Sequence, residues 1–463
     1  MRDDERSRSG VPVPSSRLAR LARLGATGAG VAGRVAAGGL AELGQGRRPL
    51  LRDLVLTPGN VRRVTDQLAE MRGAAMKLGQ LLSMDAGEVL PPELSAIMAR
   101  LQAAADPMPP AQLRRVLDRE WPSGWLRSFA EFDVHPVAAA SIGQVHRARL
   151  KDGPTLAVKV QYPGVAASID SDVANVGALM RMSGLLPKGF DLAPYLAEAR
   201  DQLHAETDYT REGAHLLRFA DLLAGDDRFA VPSFDAAWST GAVLSMSYMA
   251  GAPVESAADA PQAMRDRVAR DLIDLTLREL FVFGWMQTDP NFANYRWDAA
   301  TGRIVLLDFG AVRRIDPATA DLHRRLLAAA LDGDRLTLRA LAEEVGVIDP
   351  ATPPGHAERI VDMVEIACAE LRRPGSLDIA ALDLPRRMQA EAVALARDGL
   401  VPPPLPMDAL HVQRKIAGMY LLAARLRARV PVREMVEGYL GRSASGAPTD
   451  ALPQADRSGP SAP

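Results

Sequence analysis

The sequence predicts an α+β chain of two lobes behind a helical extension, and three observations carry that prediction. Helical periodicity runs from Thr57 to about Leu117, with apolar residues every three to four positions. A period-two segment follows, "FAEFDVHPVAAASIGQVHRARLKDGPTLAVKVQYPG", turning at Asp152-Gly153 as a β-hairpin does. Beyond Met249 the text is again mainly helical, apart from a hairpin-like pair flanking Asp289 and Asp308.

Taken in order, residues 1–16 are polar, bear Pro and Ser, and are expected to be disordered. The extension, residues 17–120, opens on a Leu/Arg repeat that runs into Gly/Ala-rich text. Leu18, Leu21 and Leu24 share an arc that partly overlaps Arg17, Arg20 and Arg23, so its amphipathicity is modest. An Ala-rich helix on the protein's own surface is expected there, with a membrane-surface or small-residue helix contact as the alternative. Pro91-Pro92 breaks the helical text, and "DPMPP" is expected to end the next helix.

Residues 121–250 form the β-rich lobe, with inserted helices between about Val165 and Leu223 that pause near "LLPKGFDLAP". Short strands follow near Phe229–Phe234 and Ala242–Met249. Residues 251–440 form the helical lobe, and 441–463 a disordered tail.

At 463 residues the chain exceeds one compact core. With 48% hydrophobic and 24% charged residues and a net charge of −2, it lacks the basic excess of a nucleic-acid binder. A single cysteine, Cys368, excludes an internal disulfide and fits a reducing compartment. No apolar h-region follows "MRDDERSRSG", so no secretory leader is expected. The longest uncharged run, Ala236–Val254, alternates like strands and is no membrane span. A cytoplasmic protein is expected, with peripheral membrane association at most.

Of 55 basic residues only Lys77, Lys151, Lys159, Lys188 and Lys415 are lysines. Where Arg has replaced Lys almost everywhere, a surviving Lys marks a place that a planar fork does not fit.

The motifs point to phosphoryl transfer, which asks of a protein mainly positioned charge. In "MQTDPNFANYRW", Asn294 stands five positions after Asp289; "IVLLDFG" then ends an apolar strand at Asp308. A kinase orients the acceptor hydroxyl with such an Asp and holds Mg²⁺ with such an Asn and a DFG Asp. In "TLAVKVQYPG", Lys159 has apolar neighbours on each side, as a strand-three kinase lysine does. A lysine reaching solvent from an edge strand is the alternative. The loop expected over the phosphates is Ala-rich, not Gly-rich: Ala138, Ala139, Ala140, Ser141 and Gly143 in "AAASIGQVH". Ala does not readily take positive φ, so this turn is stiffer, with Ser141 left to donate and Gly143 to allow a close approach. The element order is that of a bilobal kinase with an addition in front.

These residues resemble the UbiB/AarF atypical kinases, also called the coenzyme Q8-type or ADCK group. The resemblance rests on the Ala-rich loop and on a KxGQ motif at Lys77-Leu78-Gly79-Gln80. "LPPEL" at Leu90–Leu94, the ExD motif Glu206-Thr207-Asp208, "QTDPNFAN" without His-Arg, and the final "LHVQRKIAGMYLL" complete it. It covers roughly residues 15–440, with "DPNFAN" where many members have "DPHPGN".

The resemblance implies a protein kinase-like fold with a KxGQ extension, ATP and Mg²⁺ as cofactors, and a link to ubiquinone biosynthesis and lipid homeostasis. It implies that Lys159 contacts the α/β-phosphates, that Asp289 is catalytic, and that Asn294 and Asp308 hold metal. Glu212, one helical turn after Asp208, is assigned as the Lys159 partner, with Glu206 and Asp208 as the alternatives. Glu206 and Asp208 are directed toward Lys77 and Gln80 as regulatory contacts. Backbone from Ser247 to Met249 is expected to meet adenine.

The leading expectation is therefore an ATP hydrolase or kinase acting on a small-molecule or lipid-associated target. ATP is the expected partner, a quinone precursor or lipid a further candidate, and nucleic acid is excluded. The alternative is a non-catalytic lipid- or quinone-binding scaffold switched by nucleotide.

Overall fold

The computed structural model describes residues 71–85, 107–140, 142–183, 191–398 and 406–441. The expected disordered residues 1–16, the Leu/Arg segment, Pro91-Pro92, Ser141, Lys188 and the tail beyond Gly441 lie outside these residues. The chain divides into two compact units. One comprises Met1–Ala250 with Val305–Ala311, the other Gly251–Ile304 with Val312–Pro463.

The first unit begins with α1 (Arg72–Asp85) and α2 (Pro110–Glu120). The helix that "DPMPP" is expected to end lies outside the described residues; the segment itself opens one. Pro110 lies in the first turn of α2, where its fixed φ suits the helix and its missing N–H costs nothing. An antiparallel sheet follows, built from β1 (Phe129–Phe132), β2 (Ala138–Ala139), β3 (Gly143–Leu150) and β4 (Thr155–Gln161). Three helices come next, α3 (Val165–Ser183), α4 (Ala193–Glu206) and α5 (Tyr209–Leu222). After the short β5 (Phe229–Ala230), β6 (Val243–Ser247) completes the sheet in the order β1-β3-β4-β6, with β2 on β3.

The sheet is buried on both faces at β4, and its two-residue period assigns the chemistry. Leu156, Val158 and Val160 face a core shared with Leu113, Val116 and Leu117 of α2 and with Trp121, Trp125 and Phe129. Each such aliphatic side chain, fully buried, contributes about 1.5–3 kcal/mol. The alternate residues Lys159 and Gln161 face the other way, toward α5 and its N-terminal approach. A second core gathers Ala75, Leu78 and Leu81 of α1, Ile142, Ala199 and Leu203 of α4, and Tyr209. The KxGQ helix and the tip of the Ala-rich loop thus share one apolar cluster.

The second unit starts with β7 (Ala252–Pro253) and α6 (Gln262–Arg278), which ends in a π-helical turn, Glu279–Phe283. β8 (Trp285–Gln287) leads into the loop of Asp289, and β9 (Tyr295–Asp298) leaves it. β10 (Arg303–Leu306) carries the chain back to the first unit and Asp308, and β11 (Val312–Arg314) returns to pair antiparallel with β8, Val312 opposite Gln287. Helices α7 (Pro317–Asp332), α8 (Arg335–Glu344) and α9 (Pro354–Cys368) pack through Ala329, Leu338, Ala342, Ile360 and Val361. β12 (Leu377–Asp378), α10 (Leu384–Arg397), α11 (Met407–Arg425), β13 (Arg429–Val430) and α12 (Val432–Tyr439) complete the unit. Among the described residues no helix is long and apolar enough to cross a membrane.

Candidate active site

In the first unit the structure brings Lys159, Glu212 and Asp308 together. Lys159 Nζ donates to Glu212 Oε1 at 2.8 Å and Oε2 at 2.9 Å, and stands 3.4 Å from Asp308 Oδ2. Asp208 caps α5 by accepting the Arg211 N–H at 3.1 Å. That cap starts the helix so that Glu212, four residues on, points at the lysine. The lysine and glutamate side chains are 11% and 2% exposed and that of Asp308 is 33%, so only the aspartate keeps an open side.

Burial disfavours the Lys159 ammonium, but the charges of Asp308 and Glu212 outweigh it and hold the ammonium well above the usual lysine range. Burial pushes the Glu212 carboxyl up to about 7 against the pull of Lys159. Asp308 would also be raised by burial; Lys159 and the Gly310 N–H reverse this and hold it below the usual carboxylate range. The triad is asymmetric: Lys159 stays charged, Asp308 stays ionised, and Glu212 is the member that titrates.

The turn after Asp308 is closely fitted. Gly310 N–H donates to Asp308 Oδ1 at 2.9 Å. A Cβ at Gly310 would stand 3.3 Å from Asp308 Oδ1 and 3.4 Å from Glu212 Oε2. Phe309 is buried against Phe219, ring centroids 5.4 Å apart, and its carbonyl lies 3.2 Å from His215 Nδ1. Tyr209 sits beneath the lysine, whose Nζ is 5.2 Å from the ring centroid. Sequence reasoning missed Tyr209 and His215; their spacing from Glu212, at −3 and +3 on one helix face, was the available signal.

The Ala-rich segment is a tight hairpin. Ala138 and Ala139 pair with Val145 and Gln144, and Ala140 N–H donates to Gly143 O at 2.9 Å. Ile142 is buried, and its carbonyl accepts from Tyr162 N–H at 2.9 Å. The close approach that Gly143 permits is to its own sheet. A Cβ there would overlap the Val160 carbonyl and stand 3.0 Å from the Tyr209 hydroxyl.

Lys77 is buried, and its Nζ lies 2.6 Å from Glu206 Oε1. The side chain of Gln80 lies outside what the structure describes. Of the ExD acids, Glu206 meets Lys77, and Asp208 Oδ1 serves as the cap of α5. The expected hinge is partly occupied too. Ser247 N–H donates to Ser233 O and Tyr248 N–H to Thr155 O, both at 2.8 Å. Ser247 Oγ lies 3.7 Å from Met249 Sδ.

In the second unit Asp289 and Asn294 are partners. Asn294 Nδ2 donates to Asp289 Oδ2 at 3.3 Å, which leaves the Asn294 amide oxygen as an acceptor. Asp289 Oδ1 accepts from Asn291 N–H at 3.2 Å, and Asn291 in turn caps the short helix Phe292–Asn294. Beneath the loop lies a buried cluster that sequence reasoning passed over. Lys415 Nζ of α11 donates to Tyr295 Oη at 2.6 Å and Gln287 Oε1 at 3.3 Å, and stands 3.5 Å from Glu279 Oε2. The scarcity of lysine was the signal for it. Lys77, Lys159 and Lys415 are all buried, whereas Lys151, on a hairpin turn, is exposed.

Among the described residues no group of three or more His, Cys, Asp or Glu is gathered as a metal site. Mg²⁺ does not require one, since it typically takes one or two protein oxygens and completes its shell with phosphates and water. The Asp308 carboxylate, ionised and one-third exposed, and the Asn294 amide oxygen are hard donors of that kind.

Residues 100–342 match the ABC1 atypical kinase-like domain. The chain is 36% identical over 422 residues to the mitochondrial atypical kinase COQ8 of Saccharomyces cerevisiae, covering 90% of this chain and 83% of the relative. It is 37% identical over 454 residues to the mitochondrial atypical kinase COQ8B of Rattus norvegicus, covering 96% and 84%. Among solved structures, the Rv3197–erythromycin complex of Mycobacterium tuberculosis aligns with a TM-score of 0.56 at 25% identity, over 81% of this chain and 94% of that one. With the α+β units described above and these relatives at more than a third identity over more than four-fifths of their length, the chain belongs to the ABC1 atypical kinase-like family, the UbiB/COQ8 group, and has its bilobal kinase-like fold.

Proposed function

We propose that the chain binds ATP with Mg²⁺ and hydrolyses it or transfers its phosphoryl group to a small-molecule or lipid-associated acceptor. The observation that carries this reading is the Lys159–Glu212–Asp308 arrangement, a buried ammonium held by one carboxylate beside a second that stays ionised and open. A lysine needed only for packing would not require two acids, and burying the Lys159–Glu212 pair is costly unless a ligand uses it.

In this reading Lys159 contacts the α/β-phosphates and Glu212 fixes its position. Asp308 and Asn294 hold the metal, which supplies charge neutralisation at the phosphate oxygens when bound. Asp289 orients the acceptor hydroxyl, its Oδ2 steadied by the Asn294 amide. Ala138, Ala139, Ala140, Ser141 and Gly143 form the loop over the phosphates. Since the amides of Ser247 and Tyr248 serve the sheet, adenine is met at the Met249 backbone. Lys77 with Glu206, and Gln80, regulate access through the KxGQ helix.

The kinship with the COQ8 proteins supports a role in ubiquinone or related isoprenoid metabolism, and peripheral association with the membrane that holds such substrates is part of the same proposal. Phosphate release from Mg-ATP, measured with and without liposomes and quinone-like phenols, tests the proposal. Turnover that Asp308→Asn abolishes supports it. A wild type that binds Mg-ATP without releasing phosphate under any of these conditions points instead to a scaffold switched by nucleotide.

A further inference from the structure

We propose that Lys415 is a positioning residue for the Asp289–Asn294 loop: its buried ammonium ties both ends of that loop to the final long helix, α11. The proposal rests on the reading of Asp289 and Asn294 given above for its consequence in catalysis, but not for its geometry.

The loop's ends are Gln287, two residues before Asp289, and Tyr295, immediately after Asn294. Lys415 Nζ donates to the side chains of both, at 3.3 Å and 2.6 Å. Its counter-ion is Glu279 Oε2 at 3.5 Å, and Glu279 Oε1 accepts the backbone N–H of Gln287 at 3.4 Å. Lysine and glutamate side chains are each 1% exposed. One ammonium and one carboxylate, out of water, therefore hold the entry strand by its backbone and side chain and the exit strand by a phenol. The geometry has a second, independent anchor one turn along α11. A Cβ at Gly418 would overlap the Cβ of Pro290 and stand 3.4 Å from its Cα, so the helix backbone lies directly against the residue that follows Asp289.

Two physical points favour positioning over mere packing. An apolar residue would fill the space under the loop without the desolvation cost of an ion pair, and such replacements are often neutral or stabilising. What an apolar residue lacks is direction, because only hydrogen bonds fix the rotation of Gln287 and Tyr295, and with them the strand ends that aim Asp289 and Asn294. The amine also fits where a guanidinium does not. Two hydrogen-bond acceptors and a counter-ion, from three segments, converge on one nitrogen, a site that a compact ammonium fits and a planar fork does not.

The test uses the full chain and the variant Lys415→Met/Glu279→Gln, which removes both charges and so leaves no uncompensated carboxylate. The first readout is amide hydrogen exchange, which needs no activity. Exchange at residues 288–294 is expected to speed up by about tenfold or more while the helices α6 and α7 keep their protection. A rise spread evenly over the second unit, or no rise at the loop, overturns the proposal and marks the pair as a folding device. The second readout is turnover. kcat for ATP is expected to fall by about tenfold with KM within about threefold, since the lost feature acts on orientation rather than on nucleotide binding. An unchanged kcat overturns the proposal. If the wild type shows no turnover at all, the function proposed above fails, and the exchange result alone decides the positioning role. Should the double variant not fold, Tyr295→Phe, which deletes one hydroxyl, is expected to raise loop exchange by about threefold, and wild-type protection there overturns the proposal.

Discussion

Lys159 and Glu212 are joined by two hydrogen bonds, 2.8 and 2.9 Å, made by one amine to both oxygens of one carboxylate across the interior of the first unit. Removing the amine alone strands a buried acid, and removing both charges does not. Lys159→Met is therefore expected to lower stability by about 3–5 kcal/mol, and Lys159→Met/Glu212→Gln to recover most of it. Nucleotide binding should stay lost in both. Thermal denaturation with and without Mg-ATP separates the two effects. A double variant that recovers the nucleotide-induced shift would show that the pair serves the fold alone.

Glu212 should also give stability an unusual pH dependence. Its carboxyl is raised from 4.5 to about 7 by burial, so between those values the native chain holds a proton that the unfolded chain has released. The native state binds more protons there, and the contribution of this group to stability grows as pH falls through the window and fades as pH rises through about 7. Denaturant unfolding of wild type and Glu212→Gln between about pH 5 and about pH 8 measures it. Wild type should gain on the variant toward the acid end; parallel curves would refute the assignment.

Gly310→Ala introduces a methyl group 3.3 Å from Asp308 Oδ1 and 3.4 Å from Glu212 Oε2. Neither carboxylate can retreat without loosening its bond to Lys159. A loss of about 1–3 kcal/mol from crowding is expected, together with weaker Mg-ATP binding. Isothermal titration checks the second part, and wild-type affinity in the variant would mean that the turn adapts freely.

Lys77→Met leaves Glu206 without the ammonium now 2.6 Å away, with the lysine side chain 5% and the glutamate 16% exposed. A loss of about 3 kcal/mol is expected, less if Glu206 turns to solvent. If the KxGQ helix restricts access to the site, the variant should also transfer label from radioactive ATP onto protein more readily than wild type. Robust labelling of unrelated proteins by the wild type would defeat that idea.

Much of the candidate site could be read in the chain because its signals are local. Lys159 stood out as a charge between apolar strand neighbours, and Glu212 as one helical turn beyond Asp208. The capping role of Asp208 was equally visible in the chain but was passed over, because the ExD pattern suggested a shared task for two acids. Gly143 has a further requirement that the chain does not display, since a Cβ there would overlap the Val160 carbonyl on the neighbouring strand. Lys415 could not be interpreted from its surroundings in sequence. Its partners Glu279, Gln287 and Tyr295 lie more than a hundred residues away, and only the packing of α11 brings them to one nitrogen.

The one thiol in the chain, Cys368, lies buried at the end of α9, and burial pushes it up to about 11. A thiol that is both hidden and protonated scarcely reacts with alkylating reagents at neutral pH. The protein thus carries a built-in clock for its own breathing: each alkylation event records an opening of the second unit at a known address. Mass spectrometry of the single modified peptide could time that opening in the presence of nucleotide, lipid or both, with no engineered label.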